Sequence, residues 1–116
     1  MYISIDAASS VPLFEQLVTA IREQVMGGEL EAGDRLPAGR ELAASLDINV
    51  HTVLRAYQVL RDEGFIGLRR GRGAVVADSA RDYSRLSLDI DRVVAEAKRL
   101  ELSPGALNAL IRKAYE

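Results

Sequence analysis

The chain has 116 residues, 48% of them apolar, which suffices for one ordinary core and not for two independent domains. It contains no cysteine and a single histidine, so disulfides, thiolate metal sites and histidine clusters are excluded, and the formal net charge of −2 is low. No stretch approaches the roughly 18 consecutive apolar residues of a membrane span, and the N-terminus does not resemble a signal peptide, so we expect a cytoplasmic protein with no membrane partner.

The first half of the chain predicts two helices. The first begins at Pro12 and stops at Gly27, because apolar residues recur between them with helical period. Residues 34–37 are expected to be a short extended piece, since a proline disfavours helix at the residue before it. A short second helix follows over residues 38–46.

A third helix and a hairpin come next. Asn49 is a good N-cap, and Gly64 supplies the C-terminal stop of the helix that starts there. Two short helices joined by a three-residue turn are typical of a helix-turn-helix. Residues 65–68 and 74–77 are predicted strands around an arginine-rich turn, which makes a β-hairpin wing.

The rest of the chain predicts a polar linker over residues 79–84 and two short amphipathic helices, the second opened by Ser103 and Pro104. Such helices cannot bury their apolar stripes alone, so we expect identical tails to form a homodimer. The predicted division is a winged helix-turn-helix in residues 1–77 and a linker with a helical dimerisation tail in residues 78–116. The predicted dimerisation residues are Ile90, Val93, Val94, Ala97, Leu107, Leu110 and Ile111. A small-molecule effector could bind between the tail helices, although no residue indicates its identity. No internal repeat is evident in the sequence.

Charge is distributed unevenly along the chain. Residues 1–33 carry one arginine against five acids, whereas residues 34–73 carry seven arginines, no lysine and five acids. Arginine has the planar donor fork that matches phosphate and guanine edges. The middle of an acidic protein is therefore a candidate nucleic-acid surface.

The outward face of the third helix carries His51, Arg55 and Gln58, opposite Val53. In a helix-turn-helix the N-terminal residues of the recognition helix meet base edges, where arginine favours guanine and glutamine favours adenine. The alternative is an ordinary solvated helix face.

The predicted hairpin tip carries Arg69, Arg70 and Arg72, and clustered like charges stabilise no fold by themselves. Contact with phosphate or a DNA groove is the favoured interpretation, and a simple solvated loop is the alternative. Asp89 and Asp91 point to different sides of a helix and make a poor acid/base pair. We expect neither an enzyme nor a cofactor or metal site.

Several separately spaced motifs resemble the GntR family of bacterial transcription regulators, and the resemblance covers residues 11–77. They are LPAGRELA (36–43), INVHTV (48–53), AY (56–57), EGFI (63–66) and GRG (71–73). The short two-helix tail is similar to that of the YtrA subfamily. The resemblance implies a mainly α winged helix-turn-helix fold with a small β-hairpin.

The resemblance also implies DNA contacts at the start of the second helix, at the start of the third and at the wing tip. Together with the residues singled out above, the predicted contacts are Arg40, Asn49, His51, Thr52, Arg55, Gln58, Arg69, Arg70, Gly71 and Arg72. The chain departs from the family pattern at Ala38 and Gly39, where Ser and Glu are usual, and at Val50, Leu54 and Ala74. Base preferences of other members should therefore not be transferred.

The sequence predicts a homodimer that binds an inverted-repeat operator in double-stranded DNA and represses transcription by occupying a promoter. The alternative is a winged-helix module for protein–protein assembly. In that case the arginine-rich wing would face an acidic protein, and binding to duplex DNA would be absent.

Overall fold

The computed structural model describes residues 1–71 and 73–116, and the predicted contact Arg72 lies outside them. The fold is mainly α with one two-stranded hairpin, as the sequence predicts. Its elements are α1 (Leu13–Met26), α2 (Gly39–Leu46), α3 (Val50–Asp62), β1 (Ile66–Arg69), β2 (Gly73–Val76), α4 (Ala80–Arg99) and α5 (Pro104–Ala114). The chain forms two compact units, Met1–Ser84 and Arg85–Glu116. None of the described helices is both long and apolar enough to cross a membrane.

The core of the first unit is formed by the apolar faces of its three helices and by the hairpin. Helix α1 contributes buried residues spaced three and four apart, and α3 contributes buried residues at the same spacing. The largest fully buried side chains are Leu17, Ile21, Val25, Val53, Leu60 and Val76. These helices therefore have one buried and one outward face each.

The turn between α2 and α3 fixes how the two helices meet. Asp47 adopts a left-handed conformation with φ 55° and ends α2. The Asn49 side chain then accepts a hydrogen bond from the backbone N–H of His51 at 2.8 Å, which satisfies one of the unpaired donors at the start of α3. The predicted N-cap at Asn49 is confirmed.

The hairpin is antiparallel, and Ile66 pairs with Val76 and Arg69 with Gly73. Strand β1 begins and ends one residue later than predicted, and β2 begins and ends one residue earlier. The extended piece before α2 pairs with its edge, because the Leu36 N–H donates to the Ala74 carbonyl at 2.9 Å. The hairpin is thereby tied to the residues that lead into α2.

The predicted linker over residues 79–84 is wrong, because α4 already begins at Ala80. Ala80 is buried in the core of the first unit, and the Tyr83 ring packs on Phe65 with 4.9 Å between ring centroids. These two residues are three apart and share one helix face. The segment is polar in composition, yet its two least polar side chains anchor the helix.

Candidate nucleic-acid interface and tail surface

The outward side of α3 carries four exposed side chains that lie at positions i, i+3, i+4 and i+7. They are His51, Leu54, Arg55 and Gln58, and we call this set the recognition face. The opposite side of the helix, with Val53 and Leu60, is fully buried. Three of the predicted contact residues are thus brought together, and Thr52 lies beside them, half-buried.

Arg55 is oriented by a contact that the sequence did not reveal. Its guanidinium lies over the Phe14 ring of α1, with its central carbon 3.7 Å from the ring centroid. Cation–π contacts of this kind hold a guanidinium in place and leave its edge donors available. Gln58 is oriented in a similar way, because its amide nitrogen donates to Asp62 at 3.0 Å.

A shallow depression of about 430 Å³ lies where the first turns of α1 and α3 meet. Its lining residues are Pro12, Leu13, Phe14, Asn49, His51, Thr52 and Arg55. Backbone N–H groups at helix starts and an arginine favour anions, so this border of the recognition face suits a DNA phosphate.

The other border of the recognition face is apolar. Leu54 is 49% exposed there and leans on the first turn of α2. A Cβ atom placed on Gly39 would lie only 2.8 Å from the Leu54 Cδ2 atom. The sequence could have indicated this apolar border, because Leu54 is an apolar residue at an outward-facing position of the helix.

The wing places two described arginines near its tip. Arg70 is exposed, and Arg69 forms a weak ion pair with Asp78, with 3.8 Å between nitrogen and oxygen. Gly71 has φ 78°, a left-handed conformation that side chains rarely adopt, so glycine is required for this tight turn. Within residues 1–71 and 73–116, Arg70 forms no ion pair.

A groove of about 580 Å³ joins the wing to the start of α2. Gly71 and Ala38 line it, together with Arg35. Arg35 is exposed, and the sequence analysis did not select it as a DNA contact. Arg40 is exposed in the first turn of α2. The wing and the start of α2 therefore border the same groove.

Tyr57 supports this arrangement from within. Its hydroxyl donates to the Pro37 carbonyl at 2.7 Å, as expected for a core tyrosine whose hydroxyl reaches a partner. Burial, followed by the nearby charge of Glu41, raises the pKa of Tyr57 to about 12. The tyrosine links the buried side of α3 to the segment that leads into α2.

The second unit presents an apolar stripe on α4 and the residue that follows it. Its residues alternate three and four apart and are called the tail stripe: Leu86, Ile90, Val93, Ala97 and Leu100. All are exposed except Ala97, and exposure ranges from 45% at Ile90 to 60% at Leu100. Over residues 86–100 this spacing matches that of a coiled-coil seam.

Charged residues of α4 follow the same seven-residue period, which the sequence reading overlooked. Acids stand at Asp82, Asp89 and Glu96, and each is followed three residues later by an arginine. Arg99 donates a hydrogen bond that holds the pKa of Glu96 below its usual range. Asp89 and Glu96 are therefore partnered within their own helix, by Arg92 and Arg99.

The α5 residues predicted for dimerisation are also largely uncovered. Leu110 is 57% and Ile111 is 44% exposed, and Leu107 is half-buried.

In the part of the chain that the structure describes, no three His, Cys, Asp or Glu residues are grouped to hold a metal ion.

Comparison with known proteins assigns this architecture to a family. The model of the "Bacterial regulatory proteins, gntR family" matches residues 13–76, which span α1 to the end of β2. The chain belongs to the GntR family. The match contains every described residue of the recognition face and of the wing.

Curated relatives are named HTH-type transcriptional regulators. The chain is 40% identical over 79 residues to the HTH-type transcriptional repressor YtrA of Bacillus subtilis and covers 61% of that protein's length. It is 33% identical over 88 residues to the regulator YhcF of the same organism, covering 73% of it. Both relatives are named transcriptional regulators, in agreement with the family's description as bacterial regulatory proteins, and the chain spans only part of the length of each.

Solved structures of GntR-family regulators are similar to this chain. YtrA from Sulfolobus acidocaldarius, a GntR-family transcription factor, is 41% identical with a TM-score of 0.62, and the match covers 80% of this chain and 97% of that one. A GntR family transcriptional regulator from Listeria monocytogenes is 31% identical with the same TM-score, covering 94% and 98%. The AraR DNA-binding domain in complex with operator ORX1 is 21% identical with a TM-score of 0.57 and shows the fold alone.

Proposed function

We propose that this GntR-family chain is a cytoplasmic, sequence-specific repressor that binds an inverted-repeat operator as a homodimer. The observation that carries the proposal is the recognition face, an exposed stripe rich in hydrogen-bond donors at the start of the second helix of a helix-turn-helix. Repression agrees with the name of the Bacillus subtilis relative.

The recognition face enters the major groove, with the first turn of α3 foremost. His51 and Arg55 are one helical turn apart and can contact neighbouring base edges, while Gln58 lies one turn deeper along the helix. Thr52 and the end of α3 next to Asn49 face phosphates. Because Phe14 supports the Arg55 guanidinium, its donors are oriented before DNA arrives, which lowers the entropic cost of binding.

The wing and the start of α2 supply contacts to the DNA backbone. Arg70, Arg72 and Arg40 add positive charge, and Gly71 allows the backbone of the turn to approach a groove closely. Arg69 contributes less, since Asp78 partly neutralises it. Contacts of this type position the protein and raise affinity for every sequence.

The homodimer forms through the tail stripe and the apolar side of α5. Exposed leucine, isoleucine and valine side chains at coiled-coil spacing need a partner, and an identical tail offers the same stripe. A two-fold dimer presents two recognition faces to half-sites about one turn of DNA, roughly 34–36 Å, apart.

A selection of duplexes bound from a random DNA library tests this function. We expect one inverted-repeat sequence to be enriched, with affinity for it falling steeply as salt is raised. Replacing Arg70 and Arg72 together by Ala should weaken binding to all duplexes and reduce the salt slope by about two, because each lost phosphate contact lowers it by about 0.9. Absence of binding to any duplex at low salt would favour the protein–protein module instead.

A further inference from the structure

We propose that Leu54 reads the 5-methyl group of a thymine in the operator, adding an apolar element to a recognition face that is otherwise polar. This inference rests on the proposed function, because it requires that α3 enters the major groove. An exposed leucine is common on protein surfaces and would not carry the inference by its exposure alone. Its neighbour Gly39 supplies the second observation.

Gly39 leaves the space that Leu54 occupies. It belongs to the first turn of α2 and has no positive φ, so its backbone does not require glycine. A Cβ at this position would lie 2.8 Å from Leu54 Cδ2, closer than carbon atoms pack, and 3.5 Å from Leu54 Cγ, an ordinary contact distance. The missing side chain thus allows Leu54 to rest against α2, which fixes its direction while leaving it half exposed.

The rest of the recognition face determines what Leu54 can contact. Arg55 lies at the opposite edge of the stripe over Phe14, and Gln58 is bonded to Asp62, so neither side chain covers the leucine. Leucine can bind neither phosphate nor the polar atoms of base edges. The thymine methyl is the one apolar group that the major-groove edges of the four bases present.

The test removes that methyl from the DNA. The duplex enriched from the random library is synthesised with deoxyuridine in place of each thymine in turn, which preserves every hydrogen-bonding group of the base pair. At one thymine of each half-site we expect the affinity of the intact protein to fall about fourfold, the effect of losing one buried methyl-sized group. Other thymines serve as internal controls.

Protein variants assign this sensitivity to Leu54. Leu54→Ala should bind the thymine duplex about as weakly as the intact protein binds the uridine duplex, with no further loss on uridine. Gly39→Ala should also reduce the difference between thymine and uridine, because its Cβ displaces the end of the leucine side chain without removing any exposed group. Leu88→Ala removes a leucine that is 62% exposed on α4 and should leave the difference unchanged.

Two results would overturn the inference. One is equal affinity of the intact protein for thymine and uridine at every position, and the other is a fourfold uridine effect that persists in Leu54→Ala. Failure to enrich any duplex would contradict the proposed function itself, and this inference with it. A duplex that is enriched but insensitive to uridine contradicts only the role of Leu54.

Discussion

The two units of the chain differ in what covers their apolar side chains. In Met1–Ser84, the apolar faces of three helices and a hairpin close on one another, and residues such as Ile21 and Leu60 have no exposed surface. In Arg85–Glu116, all of which the structure describes, Ala97 alone is buried. The first unit therefore buries the apolar faces of its own helices, whereas the apolar stripe of the second is left exposed, as the proposed dimer requires.

Removing the second unit should produce the largest effect. Truncation after Ser84 should leave a folded monomer whose affinity for a full inverted-repeat operator is lower by on the order of 100-fold or more, because two half-sites are no longer linked. Sedimentation measures the oligomeric state of the truncated protein, and titration with the full operator duplex measures its affinity. A truncated protein that stays dimeric at micromolar concentration would locate the interface in the first unit.

The position of the cut provides a control. Truncation after Asp78 also removes Ala80 and Tyr83, which belong to the core of the first unit. We expect it to lower the free energy of unfolding by at least about 1 kcal/mol relative to the longer fragment, since an aromatic pair and its buried area are lost. Equal thermal stability of the two fragments would mean that the start of α4 contributes nothing to the core.

A single charge in the tail should have the next largest effect on assembly. Ile111→Asp, like Leu107→Asp, should weaken the dimer at least about tenfold, because the interface would then bury an unpaired carboxylate. Leu88→Asp is the matched control, since Leu88 is exposed but lies off the tail stripe. Equal dimer dissociation constants for Ile111→Asp and Leu88→Asp would show that the apolar side of α5 is not part of the interface.

Within the first unit, Arg55→Ala should cost about 1–3 kcal/mol of binding free energy on the enriched duplex and little on random DNA. Phe14→Leu should cause a smaller loss on the same duplex, because it removes the ring on which the guanidinium rests. Competition binding with the two DNAs measures the difference. A similar loss on both DNAs would assign Arg55 to a phosphate.

The smallest expected effect concerns stability of the first unit alone. Tyr57→Phe should lower the free energy of unfolding by about 1 kcal/mol, because the Pro37 carbonyl loses its hydrogen bond. The raised pKa of Tyr57 implies a contribution that is complete below pH 10.0 and is lost as the pH rises through about 12. Denaturant titrations of the intact chain and of the Ser84 truncation should give the same difference, and unequal values would show that the units are coupled.

Sequence reasoning succeeded where the signals were local. The cap at Asn49, the cap at Ser103 and the stop near Gly64 act within one helical turn, so these helix ends were predictable from neighbouring residues. The start of α4 was not, because Tyr83 acquires its partner, Phe65, from 18 positions earlier in the chain.

The same distinction applies to the recognition face. Its periodicity predicted which side of α3 would be exposed, whereas the Phe14 ring under Arg55 and the space at Gly39 depend on how α1 and α2 pack against that helix. The seven-residue repeat of α4 was different in kind. It was present in the sequence as Asp82, Asp89 and Glu96, and counting at that period would have found it.

The central claim is that two copies of the chain, joined by their tails, bind one operator. Sedimentation of the intact protein with the enriched duplex, and with a duplex that carries one half-site, tests it most directly. We expect two chains per full duplex with tight binding, and much weaker binding of the single half-site. One chain per full duplex with equal affinity for the half-site would contradict the account.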